Sequence, residues 1–219
     1  MTLAKPDDYY RNVRREILPL MPARAGKVLE IGCGAGNTLK YLKEAGRADW
    51  VAGVEISSAA DEAAQAGLDM FWPGDVAAVL KNPAGPAVHA PFDVILCLDV
   101  LEHLVDPWAV LGGLAELLAS DGSVVAALPN VRFYKVAARL LFEGRWDYEE
   151  SGVLDSTHLR FFTRASIREL FEGAGLAVTD MVPVANMKPW RNKWIFNKLS
   201  GNRLIDIYAY SYIVRAARA

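Results

Sequence analysis

Cysteine is scarce in this chain: Cys33 and Cys97 are the only two among 219 residues. Two thiols cannot build a disulfide framework in a chain of this length, so a reduced, cytoplasmic protein is expected. Long apolar runs are missing as well. No stretch approaches the ~20 residues of a membrane-spanning helix, and the first residues are charged where a signal region would be apolar. There is no excess of positive charge either. Lys and Arg number 24 against 26 Asp and Glu, a net charge of −2, so no overall positive field points to a nucleic-acid binder. Repeats, low-complexity tracts and Ser/Gly/Pro-rich linkers are absent, which predicts a single domain over residues 1–219. What the chain does have is hydrophobic residues, 53% of the total, enough to fill the core of one α/β domain.

Periodicity sets out the elements. Residues 7–20 carry Tyr10, Val13, Ile17 and Leu18 at helical spacing and end at Pro19 and Pro22, which predicts an amphipathic helix. Strands are expected at 27–31, 50–56, 70–72, 92–98, 122–128, 176–182 and 206–214. Helices are expected at 38–45, 107–119 and 166–173, with another after Ser57 as its cap. Residues 81–91, rich in Pro, Gly and Ala, read as a loop. Strands alternating with helices predict an α/β fold with a doubly wound, mostly parallel sheet. Ligands of such sheets lie beyond the carboxyl ends of the strands. The places to look are therefore after Ile31, Val54, Phe71 and Leu98.

The first of these places holds Glu30, Gly32, Cys33, Gly34 and Gly36. Glycines there permit a tight turn and a close approach to the main chain, and the loop opens a helix whose first amides favour a polar ligand. Alone, the loop is equally a plain strand-to-helix turn. Glu55 ends the second strand, about 20 residues on, where an acid can grip two ribose hydroxyls. Asp75 follows the third strand, where a carboxylate can accept from an exocyclic amine. Either acid alone reads as a helix cap; three acids in register at three strand ends point to a nucleoside. The dinucleotide fingerprint G-x-G-x-x-G needs glycine at position 37, and Asn37 stands there.

VLEIGCGAG (28–36), VAGVEIS (51–57), PGDV (73–76), the stretch from Phe92 to Pro107, DGSVVAALPN (121–130) and THLRFFT (157–163) together make residues 9–216 similar to the class I S-adenosylmethionine-dependent methyltransferases. The resemblance implies a Rossmann-like, seven-stranded sheet whose last strand runs antiparallel between the fifth and sixth. It implies a cradle for the methionine part of S-adenosylmethionine at Gly32, Cys33 and Gly34, ordered by Glu30. Glu55 is implied as the ribose ligand, with Ile56 against the adenine. Asp75 is implied as the partner of the adenine amine, with Val76 beside it, and Leu98 and Asp99 as the wall near the methionine amino group. S-adenosylhomocysteine would be the product.

The acceptor side is less specific. Histidine is the first candidate for the base that takes an acceptor proton. His89 reads as exposed in its loop. His103 is either a base or a structural residue at a helix start. His158, with Asp155 orienting it, is the preferred base, and a loop-stapling histidine is the competing reading. THLRFFT resembles a motif of bacterial methyltransferases associated with sugars and glycans. The long connection 130–164 reads as an acceptor lid. Its Arg132, Lys135, Arg139, Arg145, Arg160 and Arg164, set among aromatics, suit a sugar nucleotide or other phosphorylated acceptor; a solvated helix face is the alternative. Tyr9, Tyr10 and Arg14 are expected to close over the cofactor from the other side. Residues 188–203 are basic and aromatic, either a packed loop or a contact with a membrane surface or nucleic acid. A metal site from Asp99, Glu102, His103 and Asp106 matches no strong ligand spacing, so no metal is expected; acids at a helix start explain the cluster. The expected function is O-methylation of a sugar or related metabolite. The alternatives are an NAD(P)-dependent oxidoreductase, opposed by Asn37, and a non-catalytic methyltransferase-like partner subunit, opposed by Glu30, Glu55 and Asp75.

Overall fold

The computed structural model describes residues 11–57, 59–185, 192–201 and 204–218. Its strands are β1 (Ala25–Ile31), β2 (Ala48–Glu55), β3 (Met70–Pro73), β4 (Phe92–Leu98), β5 (Leu118–Pro129), β6 (Leu176–Val184) and β7 (Ser211–Arg218). They form one sheet in the order β3-β2-β1-β4-β5-β7-β6. The pairs among β1 to β5 are parallel, and β7 runs antiparallel to both β5 and β6. Helices are α1 (Asn37–Glu44), α2 (Ala60–Gln65), α3 (Val76–Lys81), α4 (Pro107–Glu116), α5 (Tyr134–Ala138), α6 (Arg164–Gly173), α7 (Asn192–Leu199) and α8 (Ile205–Tyr208).

Both sheet faces are buried, and the strand sequences show why. Successive side chains point to opposite faces, so a strand covered on both sides is apolar throughout. Along β4, Ile95 and Cys97 join the core under α3, α4 and α6, while Val94, Leu96 and Leu98 join the core under α1. Strand β5 divides likewise, with Val124 and Ala126 on one side and Val125 and Ala127 on the other.

Several expectations are corrected. Of the helix expected at 7–20, residues 7–10 lie outside the described residues, residues 11–14 are not helical, and Arg15–Leu20 is a 3-10 helix with Pro19 inside it. Proline lacks the N–H an α-helix needs there. Ser57 does not cap the helix proper: its hydroxyl accepts from the Ala59 amide in the turn before α2. The loop at 81–91 contains a 3-10 turn, Pro86–His89. The helix expected to reach residue 119 stops at Glu116, and β5 begins at Leu118. The strand expected at 206–214 is two elements, α8 and then β7. Asn130 explains the break, because its amide donates to the Asp206 and Ala209 carbonyls and holds α8 as a compact turn. In the basic stretch 188–203, residues 192–199 are helical, whereas a loop was one expectation; Lys188, Arg191 and Arg203 lie outside the described residues.

Candidate active site

The glycine loop is shaped by close approach. Gly32 has φ +68°, and a Cβ there would meet Val100 Cγ2 at 2.4 Å. Neither the dihedral nor the space admits a side chain. Gly36, at φ 77°, turns the chain into α1. The amides of Gly32 and Cys33 donate to the Val54 carbonyl, which fastens the loop to the end of β2.

Glu55 and Glu30 lie beneath this loop, both buried. Glu55 Oε2 accepts from the Gly34 amide at 2.7 Å, and Oε1 from the amides of Ile56 and Ser57 at 2.9 and 2.7 Å. A carboxylate offers about four acceptor sites, so Glu55 orders the loop and still has capacity for a further donor. Glu30 Oε2 is buried with no hydrogen-bond partner. Burial pushes the Glu30 pKa up to about 8; the Arg14 charge opposes this and the Glu55 charge adds to it. Ile56 is 69% exposed, a free apolar face at the end of β2. Asp75 is exposed and its Oδ1 accepts from the Ala78 amide, so it does cap α3. Val76 is not open beside it but buried in the core with Val79. Cys33 and Leu98 are also buried.

Asp99 ends β4 in the left-handed region at φ 56°, a conformation uncommon outside glycine. Its Oδ2 accepts from Arg14 Nη1 at 2.5 Å. Arg14 arrives on an N-terminal strap pinned to α1: Asn37 Nδ2 donates to the Arg11 carbonyl, and the Arg14 amide donates to Thr38 Oγ1. Asn37, the residue that breaks the dinucleotide fingerprint, is thus a hook for the strap. Tyr9 and Tyr10 lie outside the described residues.

Beyond Asp99 the three sequence candidates do come together, with different partners. His158 is buried, and its Nδ1–H donates to the Val153 carbonyl at 3.1 Å, the role expected of Asp155. The Asp155 carboxylate instead accepts from the Thr157 amide and hydroxyl at 2.9 and 2.7 Å. Thr157 in turn accepts from His103 Nδ1–H at its carbonyl and its hydroxyl, at 3.1 and 3.2 Å. Asp155 therefore orients His103, through Thr157. The two imidazoles stand edge to face, with centroids 4.8 Å apart. Burial first, and then the neighbouring His103, lower the His158 pKa from 6.5. Glu102, 1% exposed, completes the group with Oε1 3.9 Å from His158 Nε2. Burial and the charge of Asp99 raise the Glu102 pKa well above 4.5. One ligand atom from each of Glu102, His103 and His158 lies within 4.8 Å of the others; of the four residues weighed as a metal site in the sequence, this group contains Glu102 and His103. Asp106 of the same stretch caps α4, as an acid at a helix start should.

Of the basic lid residues, Arg139 pairs with Asp147 and Glu149, Arg145 with Asp147, and Arg164 with Asp206. Arg160 donates to the Val105 carbonyl and lies over Trp108. His89 is not simply exposed: it stacks on Trp50 with centroids 5.2 Å apart. The contributions of Thr157, Val153 and Asn37 were not seen in the sequence, since each depends on a partner brought close only by the fold.

A family described as "Methyltransferase domain" matches residues 7–180. A ubiquinone biosynthesis O-methyltransferase of Xylella fastidiosa (strain 9a5c) is 26% identical over 183 residues, covering 79% of this chain and 69% of that protein. The counterpart from Caulobacter sp. (strain K31) is 34% identical over 113 residues, 50% of this chain and 43% of its own length. Among solved structures, a SAM-dependent methyltransferase from Archaeoglobus fulgidus superposes with a TM-score of 0.64 at 18% identity, over 96% of this chain and 94% of that one. Magnesium protoporphyrin IX methyltransferase from Synechocystis PCC 6803, solved with bound SAH, gives 0.61 at 18% identity, over 97% and 83%. These structures share the fold.

Proposed function

The chain belongs to the methyltransferase-domain family, and from that footing we propose that it transfers the methyl group of S-adenosylmethionine to a hydroxyl oxygen of a small acceptor. The observation that carries this reading is the buried pair Glu30 and Glu55 under a glycine cradle. The fit is physical: Glu30 Oε2 awaits a partner, Gly32 leaves no room for its own side chain, and Ile56 offers an open apolar face. Gly32, Gly34 and the Cys33 main chain hold the methionine part, with Asp99 at its ammonium. Glu55 takes the ribose hydroxyls, Ile56 the adenine face and Asp75 the adenine amine. Arg14, already bound to Asp99, has the charge to meet the methionine carboxylate.

When bound, S-adenosylmethionine supplies a methyl carbon activated by a sulfonium. The protein's work is to align donor and acceptor, which can supply roughly 7–11 kcal/mol, and to receive the acceptor's proton. Because Thr157 holds His103 Nδ1–H, His103 Nε2 is the nitrogen presented to the acceptor, with Asp155 steadying the ring through Thr157. His158 stands behind it.

An oxygen acceptor is supported by the relatives, which are named O-methyltransferases of ubiquinone biosynthesis. A sugar acceptor has only the THLRFFT motif behind it. A phosphorylated one is less well supported than the sequence suggested, because Arg139, Arg145 and Arg164 are paired with carboxylates.

Calorimetric titration with S-adenosylmethionine and S-adenosylhomocysteine, with NAD and NADP as controls, tests the donor. Glu55→Ala removes charge-assisted hydrogen bonds worth about 1.5–3 kcal/mol each, so affinity should fall at least about 100-fold. Near wild-type affinity in that variant would remove the ribose assignment, and binding of NAD(P) in place of the sulfonium pair would overturn the reading.

A further inference from the structure

Asn130 directly follows β5 with every polar atom engaged, and its partners come from separate parts of the chain. We propose that Asn130 is a positioning residue for the acceptor side of the site: it clamps both ends of the 131–162 connection to the α8 turn and, through the returning arm of that connection, sets the His103 imidazole. The role toward an acceptor rests on the methyl-transfer reading; the clamp itself does not.

The clamp is built around one primary amide. Asn130 is 1% exposed. Its Nδ2 carries two hydrogens and donates to the Asp206 and Ala209 carbonyls, both at 2.8 Å. Its Oδ1 accepts from the Arg132 amide at 3.1 Å. The main chain is used as fully: the Asn130 amide donates to the Tyr210 carbonyl, and the Asn130 carbonyl accepts from the Phe133 amide. Two donors and an acceptor on so short a stem are what asparagine provides. Aspartate has the shape without the donors, and serine has one donor. Either replacement leaves a carbonyl of the α8 turn without its partner, which is costly in a buried place.

The far end of the connection returns to the same point. Phe162 pairs with Asn130 as an isolated parallel bridge, and the Val131 amide donates to the Phe162 carbonyl at 2.9 Å. The arm leading back, 157–162, is fastened along the stretch that follows β4. The Leu159 and Arg160 amides donate to the Glu102 carbonyl at 2.8 and 3.0 Å, and Thr157 receives His103 Nδ1–H. Asn130 and His103 thus stand at the two ends of one hydrogen-bonded arm. At the start of the connection, Phe133 packs on Tyr210 and Tyr134 on Tyr208, so rings reinforce the hold on the α8 turn. Support of this kind keeps a reacting group within about 0.5 Å of its working position, and a misplacement of about 1 Å can cost about 100-fold in rate.

Asn130→Asp keeps the shape and removes both side-chain donations. His89, His103 and His158 are the only histidines in the chain, so long-range ¹H–¹⁵N spectra of the imidazoles give a readout with few signals, assigned with His103→Gln and His158→Gln. In the wild type, His103 should show the pattern of a ring protonated on Nδ1. In Asn130→Asp that pattern should give way to averaging between tautomers, while His89, stacked on Trp50, stays unchanged. Asn130→Ser should displace the His103 signals less, and it carries the test if the aspartate variant does not fold. Thr157→Val, with the clamp intact, should move the same signals. S-adenosylhomocysteine affinity should stay within about twofold in these variants, since Asn130 shares no partner with the glycine cradle. A purely structural role would lower the thermal midpoint of the Asn130 variants and leave the His103 pattern in place, and that result overturns the proposal. Movement of the His103 signals in a protein whose wild type does not bind S-adenosylhomocysteine would uphold the clamp and overturn the methyl-transfer reading.

Discussion

Glu30 is a carboxyl whose surroundings favour its protonated form. Burial places its pKa at about 8 in the folded chain against 4.5 for the free group. The protonated form is therefore favoured by folding. The stability this group contributes is fully present below pH 4.5 and is lost as the pH rises towards about 8. Glu30→Gln keeps a neutral side chain of the same shape. The wild type should lose stability relative to this variant across that window, seen as converging or crossing urea midpoints. Parallel curves for the two proteins would show that Glu30 does not titrate there. Its position at the end of β1, under the glycine loop, was legible because strand-end position and spacing are properties of the sequence. The wiring of the histidines was not. Asp155 lies three residues before His158 and looked like its partner, but its carboxylate turns to Thr157, and His158 finds a main-chain carbonyl. Main-chain acceptors leave no mark in a sequence.

Elements were legible where a local rule decides them. Strands β1, β2 and β4 declare themselves by apolar runs ending in glycine or acid, and α6 was placed within two residues. Its start has a local cause that the periodicity did not show. Thr163 Oγ1 accepts from the Ser166 amide while Ser166 Oγ accepts from the Thr163 amide, a reciprocal cap. Thr163→Ala should cost about 1 kcal/mol of unfolding free energy. Denaturant titration checks this, and S-adenosylhomocysteine affinity should be unchanged because α6 does not touch the glycine cradle. Where a long-range contact decides, the reading failed: the alternation of Tyr and Ile at 206–214 matches a strand, but Asn130 fixes its first half as α8.

On the scale of the whole molecule, the sheet separates two apolar layers. Leu111 of α4 is fully buried in one and Leu39 of α1 in the other. Leu111→Ala and Leu39→Ala should each cost about 2–5 kcal/mol. Because the two leucines share no partners, the double variant should equal the sum to within about 0.3–0.5 kcal/mol. Urea unfolding of the three variants measures it, and a large departure would mean that the layers communicate through the sheet. The layered fold could be read from the sequence because strand–helix alternation fixes it. The place of the last strand came only by resemblance, since periodicity carries no information on strand order.

That last strand has a consequence for how the molecule is made. Strand β6 has one neighbour in the sheet, β7, which follows it in the chain. While a ribosome is still synthesising the segment between them, β1 to β5 can already assemble, but β6 has no edge to join. The half of the protein that carries the glycine cradle can thus take shape during translation. The Asn130 clasp on α8 needs the chain out to Ala209, and the far edge of the sheet must wait for β7 as far as Arg218.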